Sequence, residues 1–535
     1  MTEDAPERRF RGIGVSGGIA IGPVVVLREK AAAQRAFAGV EEERRAFRAA
    51  IAEAAGQIDR LIASEDELAG EILEFQLALL GDEDLLAPVL RAIADGEAWD
   101  AAWASTMDAE IADYRKGGDD TLAARAADLA DLKSRVLRAV QEPSAAAELP
   151  DGAILIAAEL TPSTFLDLDW TGIGGAATLG GSPTSHVAIL ARSRGVNLIV
   201  GLSAEFDAFE DGAPAILDAP EGVVIAGPSA ATLAAATARL SAASHDDRAI
   251  EALIRKPAMT PRGERVQVLV NIDEPDRLDS IPPEICDGVG LTRTEFLFRH
   301  GQPTEEAQFA FYARLISWAQ GRPVTIRTLD AGGDKPIPGI TFDGEANPFL
   351  GVRGLRLSLA KPDIFRTQLR ALARAAALGP VKVMVPMVTV PAELTTAREM
   401  MLDEIAALQR AGMPCATPPL GMMIEVPAAA LTAAAFNADF YSIGSNDLIQ
   451  YATASARDNA ALAPLADPLN PAVLELIART VAAARHRNVE VSLCGDMAST
   501  PHLIAPLLAT GLRSLSCAPA QIGAVKLAIS RTAPE

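Results

Sequence analysis

Residues Leu179–Gly201 read LGGSPTSHVAILARSRGVNLIVG, and the chain can be ordered outward from them. Glycines and Pro183 make a bend, Thr184 and Ser185 offer N-cap oxygens, and Val187–Arg194 predicts a short helix. Val196–Val200 then predicts a strand. His186 therefore stands at or just inside a helix N-terminus. There the unpaired N–H groups and the helix dipole disfavour imidazolium and favour added negative charge. A neutral, nucleophilic ring that can accept a phosphoryl group needs both effects. A capping or buried structural histidine fits the same position, so the rest of the chain decides between them.

At 535 residues the chain has room for roughly three domains. Apolar residues make up 49%, many of them alanine, which indicates a globular, helix-rich protein. A formal charge of −22 argues against a general binder of nucleic acid or anionic membranes and suits a partner with a basic face. MTEDAPERRF carries no apolar signal core, and no run is long enough to span a bilayer. Cys286, Cys415, Cys494 and Cys517 lack CxxC spacing, and no pair among the five histidines has metal-ligand spacing on a helix. Together these predict a cytoplasmic protein with neither a disulfide framework nor a zinc site.

Phe10–Leu27 alternates glycine with β-branched residues and predicts one or two strands. From about Ala31 to Val140 the texture is long alanine- and charge-rich helices. Phe47, Ile51, Ile58 and Ile62 form one amphipathic stripe, and Trp99, Trp103, Met107 and Ile111 another; both read as the core of a helical bundle. Strands return at Ala153–Ala158 and across Asp211–Val224. The simplest architecture is an α/β domain, residues 1–30 and 143–228, interrupted by a helical insertion at 31–142. Ser229–Ile254 is polar, alanine-rich and helical, a linker placed at 229–256.

Beyond it, residues 257–535 carry short apolar runs with helical stretches between them. The runs are Val266–Ile272, Gly288–Leu291, Val324–Leu329, Phe349–Val352, Val381–Val388, Leu420–Val426, Phe440–Gly444 and Val489–Leu493. About eight βα units of this size fit a (β/α)₈ TIM barrel.

Polar residues gather at the ends of these runs. Arg293 follows the second, Arg327 ends the third, Arg353 follows the fourth, Glu425 ends the sixth, Asn446 and Asp447 follow the seventh, and Cys494 follows the eighth. In a barrel all would face the C-terminal mouth, where barrel enzymes keep their active sites. Singly, a strand-end arginine is a solvated charge and a lone cysteine a small core residue; convergence from six runs favours a site. Arginines capture phosphate and carboxylate oxygens. Glu425 and Asp447 offer hard oxygen ligands of the kind Mg²⁺ prefers. Asn446 adds a hydrogen bond to a phosphate oxygen. Cys494 contributes nothing to phosphate binding and suits protonation of an enolate. A small phosphorylated carboxylic acid that releases an enolate, phosphoenolpyruvate (PEP), fits this set.

The motifs GIGVSGGIAIGP, ELTPS, TSHVAILAR, LTRTEFLF, IRTLDAGGDKP, NPFLGVRG, IEVPAA, SIGSNDLIQY and LCGDMA, in this order over nearly the whole chain, resemble the enzyme I family of the bacterial phosphotransferase system, the phosphoenolpyruvate–protein phosphotransferases. The resemblance implies an activity: transfer of the phosphoryl group of PEP through a phosphohistidine to a histidine of the carrier protein HPr, with release of pyruvate. His186 matches the phosphorylated histidine and Cys494 the enolate-protonating cysteine. Arg293, Arg327, Arg457, Asn446 and Asp447 match the PEP-binding residues, and Glu425 and Asp447 the Mg²⁺ ligands. Arg353 and Lys335 fall in shared motifs and rank below these. The helical insertion matches the HPr-docking region, with ARAADLADLKSRVL its most family-like stretch, and the barrel matches the dimerisation domain. Three positions depart from the family pattern: Ser182 replaces the second glycine of the active-site turn, Asn470 a common histidine, and Asp496 the glutamate after the cysteine. No HPr-like, sugar-specific or GAF-type segment is visible, so the chain reads as the bare enzyme. A dikinase or PEP synthase would also need an ATP-grasp domain, which the first 150 residues do not suggest. A non-catalytic docking regulator would have no use for the full catalytic set.

Overall fold

The computed structural model describes residues 7–28, 36–64, 67–116, 120–139, 149–183, 185–273, 276–299, 301–333, 335–342, 344–456 and 459–532. The chain separates into two compact units, Met1–Ser244 and His245–Glu535.

In the first unit the glycine-rich start forms three strands, β1 (Arg8–Arg11), β2 (Ile13–Ser16) and β3 (Ile19–Leu27). Five helices follow: α1 (Val40–Ser64), α2 (Glu67–Leu80), α3 (Glu83–Ala94), α4 (Trp99–Lys116) and α5 (Asp120–Arg138). The chain then returns as β4 (Ala153–Ala157), α6 (Pro162–Asp167), β5 (Ile173–Thr178), α7 (His186–Arg194), β6 (Leu198–Val200), β7 (Pro214–Asp218) and β8 (Val223–Ala226). The sheet order is β1-β8-β7-β3-β4-β5-β6-β2. β3 pairs in parallel with β4, Val24 opposite Ile154, although the whole bundle separates them in sequence. The insertion thus leaves and re-enters the sheet at neighbouring strands.

Burial follows the amphipathic stripes. Phe47, Ile58, Trp99, Trp103, Met107 and Ile111 are buried, and Ile51 and Ile62 pack at the edge of the same core. That core also takes in Phe165, Val187, Leu190 and Leu198, so bundle and sheet share one hydrophobic interior. α8 (Ala230–Leu253) follows, with Ala236 its buried residue. As expected, this segment is helical, and it is almost wholly solvated.

The second unit is an eight-stranded parallel barrel. Its strands are β10 (Arg265–Ile272), β11 (Val289–Thr292), β12 (Val324–Arg327), β13 (Val381–Val385), β14 (Leu420–Ile424), β15 (Phe440–Gly444), β16 (Glu490–Cys494) and β17 (Ser514–Cys517); the short β9 (Ala258–Met259) pairs antiparallel on β10. β10 pairs with both β11 and β17, which closes the ring.

The expected count of eight was right, but one member was not. Phe349–Val352 is no strand: Pro348–Leu350 is a 3₁₀ turn on the loop after β12, where Pro348 lacks an N–H for a ladder and Leu350 is exposed. The eighth strand is Ser514–Cys517. Its sequence SLSC hides it because Ser516 donates inside the barrel to Asn271 Oδ1 at 2.6 Å, satisfying a polar side chain where an apolar one is expected. Glu425 therefore follows the fifth barrel strand, Asn446 and Asp447 the sixth, and Cys494 ends the seventh, while Arg353 arrives on a loop.

Trp103 tests the bundle core. It is fully buried, its ring centroid lies 5.8 Å from that of Phe47, and its Nε1 donates to Lys133 O. Trp103→Ala is expected to destabilise the first unit by about 3–5 kcal/mol. Calorimetry should show a lowered transition for that unit and an unchanged one for the barrel.

Candidate active site

In the first unit, α7 begins at His186 because Ser185 caps it. The Ser185 backbone is extended and its Oγ accepts from Ala188 N at 3.3 Å. Gly195, at φ 66°, ends the helix in the left-handed conformation that glycine adopts without strain. Thr184, the other expected cap, lies outside the described residues. The turn before the helix is closed by Ser185 N donating to Ser182 O at 3.0 Å and by Arg192 donating to Pro183 O. Both bonds use backbone acceptors, and Ser182 is exposed, so its side chain is accommodated without rearrangement.

The His186 ring is 28% exposed, and its Nδ1 lies 2.9 Å from Oδ1 of Asp128 on α5. Asp128 and Glu159 are the carboxylates that line a small cavity beside the ring, about 30 Å³ in volume. One helical turn beyond Asp128, buried Asp131 accepts from Gln76 Nε2 at 2.8 Å, Ser163 Oγ at 2.7 Å and Ser163 N at 3.1 Å. Arg135 Nε donates to the same Ser163 Oγ at 2.9 Å. This network ties α5 to α2 and to the start of α6. Asp128 was not singled out from the sequence, although it belongs to the stretch ARAADLADLKSRVL; only the fold brings it to the histidine.

In the barrel, the expected residues other than Arg457 converge on the C-terminal mouth. Buried Arg327 pairs with Glu295 at 2.8 Å and Asp330 at 3.0 Å. Arg353, with no exposed surface, pairs with Asp330 and Asp447, each at 3.0 Å. Lys335 Nζ approaches Asp330 at 3.9 Å. Burial alone would raise the Asp330 pKa, but Arg327, Arg353 and Lys335 outweigh it and hold the carboxyl below its ordinary range. The same pairs hold both arginines more firmly protonated than burial would allow. Gly332, at φ 105°, permits the crossing: a Cβ there would come within 2.7 Å of Arg353 Cβ.

Glu425 is buried and accepts from Met387 N at 2.6 Å. Burial, reinforced by Asp447 and Asp330, pushes its pKa up to about 8. Cys494 is buried with Sγ 3.5 Å from Ser442 Oγ and from Ile443 O, and burial raises its pKa. Asn446 is locked by Asp496, to which it donates at 3.1 Å while accepting from Asp496 N at 3.0 Å. The aspartate that replaces the family's glutamate thus reaches the neighbouring site residue. Asn470 caps the helix Pro471–Arg487 by accepting from Ala472 N, a task its side chain fulfils directly. Arg293 pairs with Asp273 at 3.0 Å and, with Glu295 and Lys335, lines a cavity of about 520 Å³. Arg457 lies outside the described residues.

Glu295, Asp330, Asp273 and Tyr451, whose hydroxyl meets Arg353 at 3.4 Å, were not anticipated as site members. The first two sit inside the motifs LTRTEFLF and IRTLDAGGDKP, but spacing alone does not show which acidic residue turns inward.

Among the described residues no group of three or more His, Cys, Asp and Glu is arranged to hold a metal unaided. Two buried carboxylates, Glu425 and Asp447, do match an ion such as Mg²⁺, which takes one or two protein carboxylates and completes its shell with water and substrate oxygens. No described helix is long and apolar enough to cross a membrane.

Three family models match in succession: PEP-utilising enzyme, N-terminal, at residues 11–125; PEP-utilising enzyme, mobile domain, at 149–222; and PEP-utilising enzyme, PEP-binding domain, at 248–533. The chain is 37% identical to the phosphoenolpyruvate-protein phosphotransferase of Bacillus sp. (strain S), over 99% of this chain and 94% of that one. It is 34% identical to the protein of the same name from Bacillus subtilis (strain 168), over 98% and 94%. It is also 38% identical to the multiphosphoryl transfer protein of Xanthomonas campestris pv. campestris, over 96% of this chain and 62% of that longer one. The chain belongs to the PEP-utilising enzymes and, among them, to the phosphoenolpyruvate-protein phosphotransferase family.

Proposed function

We propose that this enzyme moves the phosphoryl group of PEP to Nε2 of His186 and from there to a histidine of the HPr carrier, releasing pyruvate. The observation that carries this reading is the convergence at one barrel mouth of buried arginines, two hard carboxylates and a buried thiol.

Arg293, Arg327 and Asn446 bind the phosphate and carboxylate oxygens of PEP, with Arg457 in the same role and Asp447 contacting PEP beside the metal position. Arg353 and Lys335 hold the acidic residues between them in place. Glu425 and Asp447 would hold Mg²⁺, which would supply neutralisation of phosphate charge. Because the ion pairs are already formed, little reorganisation accompanies transfer. As Nε2 of His186 forms its bond to phosphorus, the bridging P–O bond breaks and its electron pair remains on the enolate. Cys494 then delivers its proton to the enolate carbon. Burial keeps that proton on sulfur until the base appears.

The division of labour follows. Residues 1–30 and 143–228 form the mobile phosphohistidine domain, 31–142 dock HPr, 229–256 link, and 257–535 bind PEP and dimerise. His186 and the mouth belong to different units, so loading requires the first unit to reach the barrel. A cytoplasmic homodimer at the head of a sugar-uptake or regulatory phosphotransferase chain suits this assignment.

Incubation with PEP labelled in its phosphoryl group, Mg²⁺ and HPr tests the reading: label should pass through the enzyme to HPr, and His186→Ala should take none. Persistent labelling of that variant would defeat the assignment. Chelating divalent cations should abolish loading from PEP, read as acid-labile protein label and as pyruvate. Cys494→Ala should slow pyruvate release by about 10²–10⁴-fold, the worth of a positioned proton donor, while His186 still becomes labelled. Pyruvate appearing at the unaltered rate would remove Cys494 from the proton transfer.

A further inference from the structure

The His186 ring does not rest on its own domain alone. Its Nδ1 meets a carboxylate delivered by the inserted bundle, Asp128, whose side chain is 1% exposed. A carboxylate accepts and does not donate, so a hydrogen bond at 2.9 Å puts the imidazole proton on Nδ1 and the attacking lone pair on Nε2. The position is not a casual contact. Asp131, one turn along the same face, is fixed by Gln76 and Ser163, and Arg135 is fixed by Ser163, so α5 cannot slide without breaking buried bonds. The α7 N-terminus acts in the opposite sense, its dipole working against a protonated ring.

We propose that Asp128 is a positioning residue for phosphoryl transfer: it retains the Nδ1 proton of His186 while Nε2 gains and loses phosphorus. This rests on His186 being the phosphoryl carrier. On loading, the Nε2–P bond forms, the P–O bond to the enol oxygen breaks with its pair going to oxygen, and the Nδ1 proton stays. On unloading, an acceptor imidazole nitrogen bonds to phosphorus and the Nε2–P pair returns to Nε2. With Nδ1 protonated the departing group is a neutral imidazole; without that proton it is an imidazolate, a far poorer leaving group. The bundle therefore sets the reactivity of the phosphohistidine.

Among the described residues, the charged groups on the elements around the ring can be named. Glu159, ahead of α6, lines the same cavity. α6 carries Asp167, which is turned to Arg135 at 3.9 Å. β2 carries no charge, α7 carries Arg192 and Arg194 in its last turn, and α2, which also packs on α7, carries Glu74 among its described side chains. Asp128 is the one bonded to Nδ1.

The full-length protein, labelled from PEP, is mixed with HPr and the transfer rate followed from about pH 6 to about pH 10, a range that spans deprotonation of Nδ1. Asp128→Asn should shift the alkaline limb of the profile at least about one unit lower, so that transfer at alkaline pH falls about tenfold more than at pH 6. Asp128→Glu should restore much of the profile. A loss uniform over pH, or a profile unchanged in Asp128→Asn, would overturn the proposal. Should the asparagine variant not fold, ¹⁵N-histidine spectra of the unaltered protein decide: neutral His186 with its proton on Nδ1 supports the proposal, and the Nε2–H tautomer sinks it. Label entering His186→Ala would instead strike the underlying carrier assignment.

Discussion

A carboxylate with as little exposure as Asp330 remains an ion only when cations surround it, and the barrel mouth is organised around that requirement. Arg327, Arg353 and Lys335 approach from different segments, and their other contacts recruit Glu295, Asp447 and, through Arg353, Tyr451. In such a low-dielectric setting a charge left without its partner costs several kcal/mol, so the members hold one another in place. The guanidinium groups are thereby fixed in preformed positions by their carboxylate partners. Glu425 lies on the other side of the balance. Burial and its acidic neighbours push it up to about 8, which marks the mouth as short of positive charge at that point.

The first unit solves a different problem with the same means. A histidine at a helix N-terminus is kept neutral and receptive to anions, but nothing in that position chooses which nitrogen reacts. Asp128 makes the choice, and it comes from a helix whose own placement depends on the Asp131–Ser163–Gln76–Arg135 network and on the core shared by bundle and sheet. The insertion is thus part of the histidine's environment.

Much of the fold was legible because its signals are periodic. The stripes through Phe47 and Trp103 marked the bundle, the alternating apolar runs marked the barrel, and Ser185 marked the start of α7. The two barrel segments misjudged were those where a local pattern misleads. Phe349–Val352 is apolar without being paired, and Ser514–Cys517 is paired without looking apolar, because Ser516 satisfies Asn271 inside the ring. The candidate polar residues at strand ends were legible for the same reason that strands were. Asp128, Glu295 and Asp330 were not, since an acidic residue on a helix or loop reads as solvated until its cation or histidine is seen beside it.

The sequence by itself determined most element types, the barrel, the histidine at a helix N-terminus and the chemical kinds of residue at the mouth, since periodicity, capping and residue chemistry are local properties. Only the tertiary structure decided which carboxylates are buried, which cations answer them, and that a helix of the insertion supplies the partner of His186. Those depend on the distances that packing brings about between segments far apart in the chain, and charge and hydrogen bonding act through distance.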